Sequence, residues 1–196
     1  MGKAEKTRQL IAQKTAPLFN KKGFEGTSLT DLTAATGLTK GALYGNFKDK
    51  SEIRKEAFQY AMEKVKSKVR NRLSKCITQR EKLLALVDFY ASYVLNPPIP
   101  GGCPLLNTAI EADDNDFSMR RTVTKERNST VDFIDQLLQK GITEGEFKAG
   151  IDTKALAYTF FCSIEGALMF SRVERSDASM KVIVAHCKEI LDQISK

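Results

Sequence analysis

Hydrophobic residues recur along the 196-residue chain with the period of an α-helix. The alternation of apolar and polar residues that marks a half-buried β-strand is absent from the sequence. Glycines and prolines separate the apolar stripes at intervals that suit individual helices. The pattern therefore predicts an all-α protein of about nine helices.

The first sixty residues contain signals for helices in close succession. Ile11 and Phe19 lie on the apolar stripe of a first helix, for which Gly23 is the expected end. Ser28 precedes Asp31 by three positions, which is the spacing of an N-terminal capping box. We therefore expect a second helix to begin at Ser28.

The next helix is short and has two different faces. Gly37 is expected to end the second helix after about two turns, and Thr39 to cap a third, which gives the proportions of a helix-turn-helix. If Leu43 faces the core, Phe47 lies about 40° away on the same face, because successive residues turn by about 100°. The outer face then displays Lys40, Gly41, Tyr44, Gly45 and Lys48.

The rest of the chain also reads as helix. Asp49 and Glu52 have capping-box spacing, and apolar residues recur every four positions from Ile53 to Ile77, which predicts one long helix. The segment Asn96–Pro104 must interrupt the pattern, because it contains closely spaced prolines and two glycines. Further helices are expected over about 80–95, 105–113, 117–142, 153–172 and 179–194.

The charge of the chain is unevenly distributed. Residues 1–100 contain 19 Lys and Arg against 9 Asp and Glu, whereas residues 101–196 contain 12 against 15. A basic half beside a mildly acidic half indicates that one part of the protein meets a polyanion. Charge alone does not distinguish nucleic acid from an anionic membrane.

Residues suited to metal or covalent chemistry are sparse. The cysteines at positions 76, 103, 162 and 187 are far apart, and His186 is the only histidine, so zinc-ligand spacing is absent. The acidic residues Glu111, Asp113, Asp114 and Asp116 fit a solvated helix junction better than a hard-metal site. We expect no metal, no cofactor and no enzymatic activity. Whether one of the reduced thiols senses oxidants stays open.

The most apolar run, Ala155–Phe170, is 16 residues long and contains Glu165. It is short for a membrane span and carries a charge, so a buried helix is the better interpretation. The N-terminal sequence has charges throughout and lacks the apolar segment of a signal peptide. These features favour a cytoplasmic protein without a membrane partner.

The stretch Gly26–Ile53, "GTSLTDLTAATGLTKGALYGNFKDKSEI", resembles the DNA-binding domain of TetR-type transcriptional regulators. The matching residues are Thr27, Leu32, Gly37, Leu38, Thr39, Gly41, Leu43, Tyr44, Phe47 and Lys50. The resemblance covers about residues 4–60, and Gly101–Asp114 is similar to one branch of the family. The chain departs from the pattern at Thr33, where alanine is usual, and at Gly45, where a bulkier residue is common.

The resemblance implies two domains and a set of DNA contacts. Residues 1–50, extending to about 60, would form the helix-turn-helix domain, and residues 51–196 a helical effector-binding and dimerisation domain. Carried over by position, the DNA contacts are expected from Thr27, Ser28, Thr39, Lys40, Gly41, Tyr44, Asn46, Lys48 and Lys50. Of these, Lys40, Gly41 and Asn46 would lie nearest to the bases.

The resemblance also implies a homodimeric repressor that binds a palindromic operator and is released by a small-molecule effector. The dimer interface is expected at Phe160, Ile164, Gly166, Ala167, Ile183, Cys187, Ile190 and Leu191. The effector pocket is expected at Phe89, Tyr93, Leu106, Asn107, Ile110, Phe133, Phe161 and Glu165. The alternative is a dimeric DNA-binding protein whose C-terminal domain binds a protein partner or no ligand.

Overall fold

The computed structural model describes residues 2–196, without the side chain of Asn115. These residues form nine α-helices and confirm the all-α prediction. The helices are α1 Lys3–Lys22, α2 Leu29–Thr36, α3 Lys40–Tyr44, α4 Lys50–Leu73, α5 Gln79–Ser92, α6 Pro104–Asn115, α7 Phe117–Thr143, α8 Thr153–Glu174 and α9 Ala178–Ile194. Within the described part of the chain, none of these helices has the length and hydropathy needed to span a bilayer.

The long helix α4 ends earlier than its apolar stripe predicts. Ile77 was expected to continue the stripe, but its side chain is 87% exposed. The physical reason is that Thr78 and Glu81 form a capping box that begins α5, and the Ile77 N–H donates to the Glu81 carboxylate at 2.7 Å. Because the cap fixes the start of α5 at Gln79, the chain must leave the α4 axis before Ile77.

The chain folds into two compact units. One contains residues 2–66 and 98–123, and the other contains residues Ser67–Pro97 and Thr124–Lys196. The chain passes from one unit to the other within α4, between α5 and α6, and within α7, so neither unit is a continuous segment of sequence.

The first unit has a core of apolar side chains from its first four helices. The core residues that come from α1–α4 and from the turns between these helices are Ile11, Ala16, Phe19, Leu32, Leu43, Phe47, Ile53, Ala57 and Ala61. Burial of each large side chain contributes about 1.5–3 kcal/mol to folding, so the small helices α2 and α3 are held mainly by this core.

Polar contacts attach α6 to α1 within the first unit. The Asn20 amide donates to the Gly102 carbonyl at 3.0 Å, and the Asn107 amide donates to the Asn20 carbonyl at 2.9 Å. Glu111 accepts the Phe24 N–H at 3.0 Å. Asp116 caps α7 by accepting the Met119 N–H, as expected for a helix junction.

In the second unit, α5, α8 and α9 pack against one another. Glu146 accepts the N–H groups of Gln79 and Arg80 at the start of α5, at 2.9 and 2.8 Å. An isolated antiparallel β-bridge pairs Phe147 with Ser195. The very apolar run of the sequence lies in α8, where seven of its 16 residues are buried and six are exposed.

Candidate nucleic-acid interface

The helix-turn-helix begins with a capping box at α2. The Ser28 hydroxyl accepts the Asp31 N–H at 3.1 Å, and the Asp31 carboxylate accepts the Ser28 N–H at 2.8 Å. Hydrogen bonds from Lys22 and then from Ser28 hold the pKa of Asp31 well below its usual range. The predicted start of α2 is confirmed, and Ser28 lies exposed at the end of the helix.

Thr27, a predicted DNA contact, is fully buried. Its hydroxyl donates to the Gly23 carbonyl at 2.6 Å and so ties the end of α1 to the start of α2. A side chain held in this way cannot reach a phosphate, so a contact through the Thr27 side chain is not supported. The position of Thr27 in the family pattern has a structural explanation in this chain.

The turn between α2 and α3 has the backbone that its sequence requires. Gly37 ends α2 with a φ of 71°, in the left-handed region that side-chain-bearing residues disfavour. Thr39 then caps α3 by accepting the Ala42 N–H at 3.2 Å. The predicted roles of Gly37 and Thr39 are both confirmed.

The third helix and the turn after it each direct one large apolar side chain inward. The side chain of Leu43 is 0% exposed and that of Phe47 is 2% exposed, and both belong to the core of the first unit. Tyr44, next to Leu43 in sequence, is 37% exposed. The predicted division of the two aromatic residues, one structural and one displayed, is confirmed.

The outer face of α3 and of the turn after it carries positive charge and little bulk. Its exposed residues are Lys40, Gly41, Tyr44, Gly45 and Lys48. Open space surrounds Gly41, since a Cβ added there would meet its nearest neighbour, the Thr39 hydroxyl, at 4.0 Å. We call these five residues the reading face. A surface of this kind admits close approach of a polyanion backbone.

Two other predicted contacts are partly engaged within the chain. Asn46 is half-buried, and its amide donates to the Ala42 carbonyl at 2.8 Å. The Lys50 ammonium lies 4.3 Å from the centre of the Phe24 ring. Asn46 and Lys50 are therefore less available for DNA than the reading face.

Arg8 belongs to this region although nothing in the sequence singled it out. Its guanidinium lies 4.1 Å from the centre of the Phe47 ring and pairs with Glu52 at 2.8 Å and with Glu56 at 2.9 Å. Hydrogen bonds to Glu52 and Glu56 raise the pKa of Arg8. The contacts join residues separated by 38 to 48 positions, so no local pattern could have predicted them.

The residues predicted for the dimer interface are largely covered by their own chain. Phe160, Ile164, Ala167, Cys187 and Leu191 are buried within a single chain, and Gly166, Ile183 and Ile190 are half-buried. The sequence could not distinguish the faces, because α8 is apolar nearly all round. Five exposed side chains of α8, four of them large hydrophobic residues and one a thiol, instead form a stripe at helical spacing, namely Tyr158, Cys162, Met169, Phe170 and Val173. We call these five residues the α8 stripe.

The predicted pocket residues fall into two groups. Phe89, Tyr93, Phe161 and Glu165 are buried in the second unit, whereas Phe133 is 37% exposed there. Leu106, Asn107 and Ile110 belong to the first unit, and Ile110 is 61% exposed. The Asn107 amide holds the loop at Asn20 and Gly101, which is a structural role.

The cysteines are all reduced thiols in different surroundings. Cys103 and Cys187 are buried, Cys76 is half-buried and Cys162 is exposed. Burial raises the pKa of Cys187 to about 11, so this thiol stays protonated at neutral pH and is a poor nucleophile.

Comparison with known proteins agrees with this architecture. Residues 11–57 match the domain described as bacterial regulatory proteins of the tetR family. Residues 79–187 match the tetracyclin repressor-like C-terminal domain. The first match contains the whole helix-turn-helix, and the second covers α5 to α9 except the end of α9.

Individual relatives are similar to all or part of this chain. A TetR-family regulator from Cytophaga hutchinsonii is 37% identical, with a TM-score of 0.93 over 100% of this chain and 98% of that one. The regulator AcrR of Shigella flexneri is 41% identical over 56 residues, 29% of this chain and 26% of that protein. The regulator CifR, solved as a cysteine mutant with a 26bp operator duplex, is 21% identical with a TM-score of 0.79 over 94% of each chain.

The two matched domains, the all-α fold and the full-length similarity to the Cytophaga hutchinsonii regulator lead to one conclusion. This chain belongs to the TetR family of transcriptional regulators, which bind DNA through a helix-turn-helix and are not enzymes.

Proposed function

We propose that this regulator is a repressor that binds a palindromic operator as a homodimer and is released by a small-molecule effector. The observation that carries the proposal is the reading face, where exposed Lys40, Tyr44 and Lys48 lie opposite the buried Leu43 and Phe47. A helix anchored on one side and basic on the other suits insertion into the major groove of DNA.

Each side chain of the reading face has a role that follows from its chemistry. Lys48 supplies a point charge and Tyr44 a hydroxyl donor for phosphate oxygens, which fix the position of the protein on the duplex. Lys40 lies at the start of α3 and is long enough to bond guanine O6 and N7. Gly41 leaves room beside it for the bases. In the same proposal, the exposed residues Ser28 and Thr39, which cap the starts of α2 and α3, lie near the DNA backbone.

Dimerisation is supported by the α8 stripe. Phe170 is 55% exposed and Val173 is 79% exposed, which is unfavourable in water unless another surface covers them. Pairing of α8 and α9 from two chains would bury the stripe in a four-helix interface. A two-fold dimer then places its reading helices about 34–36 Å apart, one turn of DNA.

An effector site is proposed in the second unit, where both aromatic side chains and a carboxyl group are buried. The ring centres of Phe89 and Tyr93 are 5.4 Å apart, and Phe161 and Glu165 on α8 are also buried. Apolar surface with few polar groups is typical of small-molecule sites. An effector releases the operator only if it binds more tightly to the DNA-incompatible state than to the DNA-bound state.

The proposal is tested first by selecting bound fragments from a random DNA pool. We expect a palindromic consensus with half-sites one turn apart, and a complex that contains two protein chains. Titration of small apolar and amine-bearing compounds against this complex should then identify one that releases the DNA. A consensus without two-fold symmetry would contradict the dimeric operator. If no compound releases the DNA and a protein partner is found that changes operator binding, the alternative is favoured, in which the C-terminal domain binds a protein.

A further inference from the structure

We propose that Arg8 is a positioning residue for operator recognition, which holds the turn between α3 and α4 so that Tyr44 and Lys48 face the DNA. The inference rests on the proposed DNA contacts of these two residues. It concerns a side chain at the start of α1 that does not belong to the reading face.

The contacts of Arg8 converge on the turn that follows α3. The guanidinium donates to the Asn46 carbonyl and lies 4.1 Å from the centre of the buried Phe47 ring. Asn46 and Phe47 lie between Tyr44 and Lys48 in the chain. A planar group with several donors can make the stacking contact and the hydrogen bonds together, which an ammonium cannot do.

The same guanidinium pairs with two carboxylates, one of which is bonded to the Lys48 backbone. It pairs with Glu52 at 2.8 Å and with Glu56 at 2.9 Å, and Glu52 in turn accepts the Lys48 N–H at 2.7 Å. Without Arg8, the charges of Glu52, which contacts Lys48, and of Glu56, one turn further along α4, would lose their partner. They would repel the DNA, because like charges oppose association over this range.

The exposure of these groups argues against a mainly stabilising role. The side chains of Arg8, Glu52 and Glu56 are 30%, 36% and 39% exposed. Ion pairs as exposed as these contribute little to fold stability. We therefore expect Arg8 variants to fold and to show their defect in DNA binding.

The test measures operator affinity, affinity for an unrelated duplex and thermal unfolding for Arg8→Met, Arg8→Lys and Lys48→Ala. Arg8→Met keeps an unbranched helix-forming side chain. Lys14→Met, which removes another charge from an exposed position of α1, is the matched control. We expect Arg8→Met to weaken operator binding about tenfold and binding to the unrelated duplex less than about threefold. Arg8→Lys should lose about threefold, and the control should behave as the parent protein.

The decisive comparison places Arg8→Met in a background that carries Glu52→Gln and Glu56→Gln. Since the carboxylates are then neutral, the loss caused by Arg8→Met should shrink by at least about threefold. An equal loss in both backgrounds, with a salt slope shallower by about one unit per protomer, would make Arg8 a direct phosphate ligand and overturn the inference.

Two other outcomes would also overturn it. One is a loss of operator affinity that is fully explained by unfolding at the assay temperature. The other is unchanged affinity in both Arg8→Lys and Arg8→Met. If Lys48→Ala weakens operator binding while the Arg8 variants do not, the role inferred for Arg8 is wrong but the proposed DNA contacts stand. If none of these variants weakens binding, the proposed DNA contacts fail with it.

Discussion

At the scale of single residues, the reading face depends on side chains that are neighbours in sequence but point in opposite directions. Leu43 is fully buried and Tyr44 is 37% exposed, because one residue along a helix turns the side chain by about 100°. In the turn after α3, the buried Phe47 likewise precedes the exposed Lys48. Burial of Leu43 and Phe47 in the core therefore keeps Tyr44 and Lys48 exposed at the surface.

Replacing Lys48 tests the phosphate contacts. Lys48→Ala should weaken binding to all DNA sequences by a similar factor and make the slope of log affinity against log salt shallower by about one unit per protomer. Equilibrium binding over a salt series, with the operator and an unrelated duplex, measures both quantities. An unchanged slope would remove Lys48 from the set of phosphate ligands.

Replacing Lys40 tests base recognition. Lys40→Ala should relax the preference at one base position in each half-site, at a cost of about 1–3 kcal/mol for the preferred base. Repeating the selection from a random pool with the variant shows the preference directly. Weaker binding with an unaltered consensus would show that Lys40 does not read a base.

At the scale of elements, the sequence predicts the helix-turn-helix well because its boundaries are set by local chemistry. Caps at Ser28 and Thr39 and the glycine at position 37 act within four residues of themselves, so their effect is visible in the chain. The end of α4 was predicted less well, because an apolar stripe does not show where a neighbouring cap begins. The exposed face of α8 and the contacts of Arg8 depend on distant residues and were not predictable.

Gly37 provides a test of this local control. Gly37→Ala should destabilise the protein by about 1 kcal/mol, because an added Cβ finds open space but the φ of 71° is strained for alanine. Gly37→Asn should cost less, since asparagine tolerates the left-handed region. Urea unfolding of both variants measures the difference, and equal stability of the alanine variant and the parent would contradict the assigned backbone strain.

At the scale of the whole molecule, the account requires two chains. One reading face has too few contacts to select a site in a genome, whereas two faces in a fixed dimer double the recognition energy and add a spacing requirement. The α8 stripe is the surface that we propose for pairing. It lies on a different face of α8 from the residues predicted from sequence, because Phe160, Ile164 and Ala167 are buried in their own chain.

Charge on the α8 stripe should therefore prevent dimerisation. Phe170→Glu places a carboxylate on a side chain that is 55% exposed in the single chain, so it should leave the fold intact while the dimer dissociates. Ile77→Glu, at a residue that is 87% exposed outside the stripe, is the control. Sedimentation at micromolar concentration should show a monomer for the first variant and a dimer for the second. If both variants sediment as dimers, the dimer interface does not include Phe170.

The most direct measurement of the central claim is methylation interference at guanine N7, a major-groove atom, on the selected operator. The account predicts interference at two groups of guanines one turn of DNA apart, and loss of one position in each group when Lys40 is replaced by alanine. Binding that is insensitive to N7 methylation, with the parent protein and the variant alike, would contradict entry of the reading face into the major groove.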